Sequence, residues 1–256
     1  MHIMKKTLIT LMALAGVSCA YADGNLIWSA DMSHGDYSIT NGENFSLSAS
    51  NQWASNDFTT MPGYVYVNGS SKVSFEGGSV GLKLAETFTV SMDCKLTGVG
   101  SDTQTSYYLM KISESASWEF GVVYDTNSGA ITLAANNGTY TLSDVKSYGS
   151  FDITDISNVT FTMAGELLEP GAMSVYVNGT LAASGTMAGG NRHDTTNVGG
   201  GLTFLRDRDD NQGAIKGFVG GVSAVHVYSG IVIPEPTTAT LSLLALAGLA
   251  ARRRRK

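Results

Sequence analysis

The chain has 256 residues, 15% of them charged and 43% hydrophobic, with 22 acidic side chains against 16 basic. Seven of the basic residues and one acidic residue lie in the first 22 and last 23 positions, which leaves nine against 21 between them and a net charge of −12 there. That acidity repels phosphate backbones and excludes nucleic acid as a partner, while the roughly 210 residues in between suit one domain with a sizeable core and not two.

At the N-terminus Lys5 and Lys6 precede an apolar run from Leu8 to Val17, and Ala20-Tyr21-Ala22 puts small residues at the two positions a signal peptidase reads. Residues 1–22 are therefore expected to be a signal peptide cleaved before Asp23, and residues 23–233 an exported domain. Cys19 opens a lipoprotein alternative, but Gly16-Val17-Ser18 lacks the leucine that such sites usually carry three residues upstream. After cleavage Cys94 is the only cysteine, so no internal disulfide can form despite an oxidising compartment.

Across the domain, strand signals recur in order. Phe88 to Leu96 alternates apolar and polar with period two, which puts Cys94 on the buried face. Trp118 to Tyr124, Val159 to Met163 and Met173 to Val177 follow the same pattern, and 3.6-residue apolar stripes are missing outside the two ends. Turn chemistry separates the runs at Asn41-Gly42, Asn68-Gly69, Asn127-Ser128-Gly129, Asn137-Gly138 and Asn178-Gly179, because asparagine and glycine accept the positive φ of tight hairpins. The pentapeptide Val-Tyr-Val-Asn-Gly occurs at 65–69 and at 175–179 with unlike flanks, which reads as two hairpins and not as a duplicated domain. Many short antiparallel strands in about 210 residues leave a two-sheet sandwich or a barrel as the physical solutions.

The order from Glu86 onward resembles the LamG-like, concanavalin A-like jelly-roll family. Phe88-Thr-Val-Ser-Met-Asp-Cys94 opens the core strand, and Tyr108-Leu-Met-Lys-Ile-Ser113 forms the next. Trp118 to Leu133 makes a hairpin, Met173 to Ser184 a strand, Asn-Gly turn and returning strand, and Gly217 to Tyr228 the closing strand. The resemblance implies an all-β, two-sheet antiparallel jelly-roll sandwich, with Asn25 to Asp31 as its opening strand and helical signal segments at both ends. Two departures weaken any inherited site. Ile156-Ser157-Asn158 stands where many relatives have a tryptophan-histidine pair, and Ser223 where many have an acid.

Candidate chemistry is sparse. Retaining glycosidases of related folds place two carboxylates about 5 Å apart, on alternate positions of one strand. Glu166-Leu-Leu-Glu169 is the nearest match, and it lacks the central acid and runs into Pro170-Gly171. Of His34, His193 and His226, the last alternates outward between Val225 and Val227, and no serine sits in a Gly-x-Ser-x-Gly elbow. No catalytic set is expected. Arg206-Asp207-Arg208-Asp209-Asp210-Asn211 is the densest polar cluster, read as a loop before the closing strand. Asp207, Asp209, Asp210 and Asn211 are candidate oxygen ligands for calcium, although the EF-hand test fails at Gly213 and Phe218; Arg206 and Arg208 are candidate ligand contacts. Trp118 shares a strand face with Phe120 and Val122, and Trp28 with Leu26, so Trp53, in a polar segment, is the better candidate to stack on a sugar.

The chain ends in Pro234-Glu235-Pro236, an apolar segment from Thr237 to Ala251, and Arg252-Arg253-Arg254-Arg255-Lys256. As a helix those 15 apolar-segment residues would reach roughly 22 Å, short of a hydrocarbon layer of about 30 Å, and the basic end would stay on the cytoplasmic side. Residues 234–256 resemble the PEP-CTERM sorting signal of Gram-negative bacteria. That resemblance implies transient membrane insertion, removal of the tail by an exosortase-like processing enzyme working with the secretion machinery, and delivery to the cell surface, outer membrane or extracellular matrix. An ordinary C-terminal anchor is the competing reading. The expectation is a non-enzymatic surface protein that binds glycan or matrix polymer, against a glycoside hydrolase or lyase with an unfamiliar site, or a purely structural matrix component.

Overall fold

The alternation in residues 87–99 builds the longest strand of the molecule, and the rest of the fold assembles around it. The structure, a computed structural model, describes residues 24–33, 38–41, 47–50, 62–68, 73–77, 87–99, 105–115, 118–136, 140–152, 159–166, 171–189, 201–207 and 217–233. Every regular element among them is a strand: β1 (Asn25–Asp31), β2 (Ser38–Asn41), β3 (Leu47–Ser50), β4 (Val65–Asn68), β5 (Val73–Gly77), β6 (Thr87–Val99), β7 (Ser106–Ser115), β8 (Trp118–Asp125), β9 (Ile131–Asn136), β10 (Tyr140–Ser147), β11 (Val159–Glu166), β12 (Gly171–Val177), β13 (Thr180–Gly189), β14 (Gly201–Asp207) and β15 (Phe218–Ser229). Among the described residues no helix is long and apolar enough to cross a membrane. The end segments expected to be helical lie outside the described residues.

Two antiparallel sheets form. The nine-stranded one runs β10-β13-β12-β11-β6-β15-β1-β2, with β4 also paired to β15; the six-stranded one runs β3-β5-β14-β7-β8-β9. Strand β15 has β6 along one side, while its other side is shared, β4 taking Val219 to Val222 and β1 taking Ala224 to Ser229. The expected alternation holds. Phe88, Val90, Met92, Cys94 and Leu96 point inward from β6, and Phe120, Val122 and Tyr124 point inward from β8, all buried. Phe88 meets Phe120 edge-on at 6.2 Å, and Phe218 of β15 lies 5.5 Å from the Tyr107 ring, so aromatic contacts join the sheets. Each such side chain contributes roughly 1.5–3 kcal/mol on burial.

Two local readings of the sequence are corrected. The first Val-Tyr-Val-Asn-Gly copy is not a hairpin arm: β4 belongs to the nine-stranded sheet and β5, the next strand, to the six-stranded one. The second copy is a hairpin, since Asn178 and Gly179 hold φ of 48° and 76° and β12 pairs with β13 across them. Leu26 and Trp28 do not share a face, because the register slips between them at Ile27. Trp28 is 1% exposed and Leu26 52%, so that bulge turns the tryptophan into the core and away from any ligand.

Candidate ligand-binding face

Since the odd-numbered positions of β6 point outward, Thr89, Ser91, Asp93 and Lys95 form a polar spine on the outer face of the nine-stranded sheet. The register gives each a row of neighbours. Ser91 stands opposite His226 of β15 and Thr162 of β11; His226 in turn stands opposite Ser29 of β1. Asp93 stands opposite Ala224, and Ala224 opposite Asp31, so two carboxylates flank one small residue on this face. Tyr228 stands opposite Thr89.

The imidazole of His226 and the ring of Tyr228 stack, with centroids 6.2 Å apart and planes at 25°. Burial, and then the nearby Asp93 carboxylate, push the Tyr228 phenol above the ordinary tyrosine range, which keeps it protonated and able to donate. Ser223, the extra residue of a bulge between Val222 and Ala224, donates its hydroxyl to the Asp93 carbonyl at 3.2 Å. The carboxylate of Asp31 accepts the N–H and hydroxyl of Ser33 at 2.9 and 2.6 Å. Tyr64 and Tyr66 lie partly exposed beside Gly221, whose missing side chain leaves the space that the Tyr64 Cβ occupies. Rings that stack, a carboxylate and hydroxyls on one open surface are groups that hold a sugar by its apolar face and its hydroxyls.

The outer face of the six-stranded sheet is different. Tyr108, Lys111 and Val123 point away from the space between the sheets, yet they are 2%, 3% and 1% exposed. The Lys111 Nζ lies 5.8 Å from the Tyr108 ring centroid, a cation held over an aromatic face. At those three positions the face is closed to solvent, while Thr132 and Ala134 of β9 beside them are half-buried; the polar and aromatic face of the larger sheet is the candidate site.

Of the residues singled out in the sequence, Arg206 and Asp207 are not in a loop but end β14, where they stand opposite Tyr108 and Tyr107 of β7. Trp53, Arg208, Asp209, Asp210, Asn211, Ala20, Ala22, Pro234, Glu235, Pro236 and Arg252 to Arg255 lie outside the described residues. Among the described residues no three His, Cys, Asp or Glu side chains gather as a metal site would require. His226 faces outward as its alternation predicts. Asp31, Asp93, Tyr176 and Tyr228 carried no motif; the signal that marks them is register between strands distant in sequence.

The architecture defines a two-sheet jelly-roll sandwich with an open polar and aromatic sheet face. The chain belongs to the concanavalin A-like lectin/glucanase superfamily, whose family profile matches residues 63–235. Among solved structures, domain 4 of AbnA, a GH43 extracellular arabinanase from Geobacillus stearothermophilus in complex with arabinotriose, matches at TM-score 0.53 and 14% identity, covering 82% of this chain and 95% of that one. A Trypanosoma rangeli sialidase matches at TM-score 0.49 and 15% identity over 85% of this chain, which spans 32% of the sialidase. At these identities the likeness shows the fold alone. No curated protein matches the chain in sequence.

Proposed function

We propose that this is an exported surface protein whose β-sandwich binds glycan or matrix polymer without cleaving it. The observation that carries the reading is the stacked His226 and Tyr228 pair beside Asp93 on a solvent-open sheet face. The superfamily and the arabinotriose-bound arabinanase domain support a sugar as the ligand class. The terminal segments support delivery by a signal peptide and a PEP-CTERM-type tail that an exosortase-like enzyme removes, leaving the domain at the cell surface or in the matrix. A glycan array that includes arabinan, β-glucans and extracellular polysaccharides tests the binding. Retention on at least one glycan, lost on Tyr228→Ala together with His226→Ala while the melting temperature is kept, is the expected result; an array blank throughout would end the reading.

Hydrolysis is the second reading, favoured by Asp31 and Asp93. Their backbones are two strand spacings apart, about 9.6 Å, at the upper edge of the roughly 6.5–9.5 Å that separates the carboxyl groups of inverting pairs. The hydroxyl and N–H of Ser33 both bind one Asp31 oxygen as in a turn cap, so that oxygen is engaged within its own turn. Release of reducing ends that disappears in Asp93→Asn would move the assignment to an enzyme.

A further inference from the structure

One row of this face crosses six strands. In order it reads Tyr176 of β12, Thr162 of β11, Ser91 of β6, His226 of β15, Ser29 of β1 and Thr40 of β2, each directly opposite the next. A pleated sheet aligns such a row perpendicular to its strands, with about 4.8 Å between neighbours. Tyr176 and His226 are therefore three spacings apart, about 14 Å, with two small hydroxyl residues between them. Ser91 is 9% exposed while Tyr176 and His226 are partly exposed, so the row dips between two rings.

We propose that this row is a track for an extended, unbranched, neutral polysaccharide laid across the strands and stacked on both Tyr176 and His226, and not a pocket for a single terminal sugar. The inference rests on the glycan-binding reading above and specifies its ligand. A separation of about 14 Å between the two ring-bearing positions exceeds one pyranose or furanose unit, so only a chain of several units engages both ends. The −12 charge of the mature region and the Asp31 and Asp93 carboxylates beside the row select against polyanionic chains.

The test is calorimetric titration of the full chain, held in a detergent without a sugar headgroup, with unbranched α-1,5-arabinan, β-1,3-glucan and β-1,4-glucan oligosaccharides of one to six units. For the series that binds, affinity should rise with length up to about three or four units and then level off, since sugars beyond the second ring add no contact. Tyr176→Ala should cost roughly tenfold in affinity for the hexamer and less than twofold for the monomer, whereas His226→Ala should weaken both. Tyr176→Phe, which keeps the stacking ring, should restore the length dependence and shows that the alanine variant did not lose its fold. Length-independent affinity, or a Tyr176→Ala variant with unchanged hexamer binding, overturns the track while leaving glycan binding standing. Failure of all three series and of the array removes both.

Discussion

At the scale of single residues, strand periodicity decides what a reactive group can do. Cys94 sits among Phe88, Val90, Met92 and Leu96 at 1% exposure, and burial, followed by the charge of Asp93, pushes its thiol far above the ordinary range. The thiolate is the nucleophile, so Cys94 should be inert to a disulfide reagent in the folded protein at mildly alkaline pH and react fully once denatured. Cys94→Ser should cost about 1 kcal/mol, because it puts a hydroxyl among apolar neighbours without creating a large cavity. Rapid labelling of the native protein would show that β6 opens. Asp125 behaves oppositely. Its carboxylate accepts the Ser128 hydroxyl and N–H, each at 2.8 Å, and the Asn127 N–H at 3.1 Å. These bonds, led by the Ser128 hydroxyl, hold its pKa below the ordinary carboxylate value. A depressed carboxylate adds stability above its unfolded-state pKa and loses it as pH falls through the lower folded value. Once the intrinsic slowing of amide exchange in acid is divided out, the protection of residues 126–129 should therefore fall as the solution is acidified into that range, and Asp125→Asn should remove this pH dependence. A turn whose protection stays flat with pH in the native protein would contradict the assignment.

At the scale of elements, the end of the domain is fastened to its longest strand. The Thr89 hydroxyl donates to the Gly230 carbonyl and accepts the Val232 N–H, both at 2.8 Å, while the Gly230 N–H donates to the Thr87 carbonyl at 2.8 Å. Thr89 is 1% exposed although it points away from the core, because this strap runs beside it. Thr89→Val keeps the shape and removes both bonds, so exchange at the Val232 amide should rise at least tenfold while protection along β6 and β15 is retained. Equal rates in the two proteins would show that the strap is held by something other than Thr89. Much of this layer was legible in the sequence: alternation located β6, β8, β11 and β12, the family resemblance located β15, and Asn178-Gly179 located the hairpin. Other parts were not, and the reasons are physical. The same pentapeptide supplies β4 (Val65–Asn68) in one copy and the end of β12 with its turn in the other, and which sheet each joins is decided by partners remote in sequence. Arg206 and Asp207 read as loop by charge, but strand pairing opposite Tyr108 and Tyr107 overrides a weak local preference. The Ile27 bulge left no mark in composition, so Leu26 and Trp28 read as sharing one face. The candidate face was illegible for a related reason, since Tyr176, Thr162, Ser91, His226 and Ser29 fall into one row only through the registers of five strands.

At the scale of the whole molecule, the last strand occupies a central place. β15 pairs with β6, β1 and β4, and its Ser229 hydroxyl reaches the Asn25 carbonyl, 204 residues earlier in the chain, at 3.4 Å. Until β15 arrives, β6 has a bare edge, β1 and β4 lack their main partner, and Phe88, Met92 and Trp28 have no complete enclosure. Contacts of such sequence separation delay folding, because loop closure must precede the contacts that offset it. Under the export proposed above, this order would keep the polypeptide extended during translocation and let it close only once β15 is across. A chain stopped after Gly217 should therefore bind a hydrophobic dye, lack a cooperative thermal transition and aggregate, since its unpaired edges and apolar face remain exposed. A chain stopped after Ile233 retains β15 and the Thr89 strap and should melt cooperatively at the temperature of the full-length protein. Cooperative unfolding of the shorter chain would show that the remaining strands close without β15, and the proposed coupling between chain completion and folding would then be wrong.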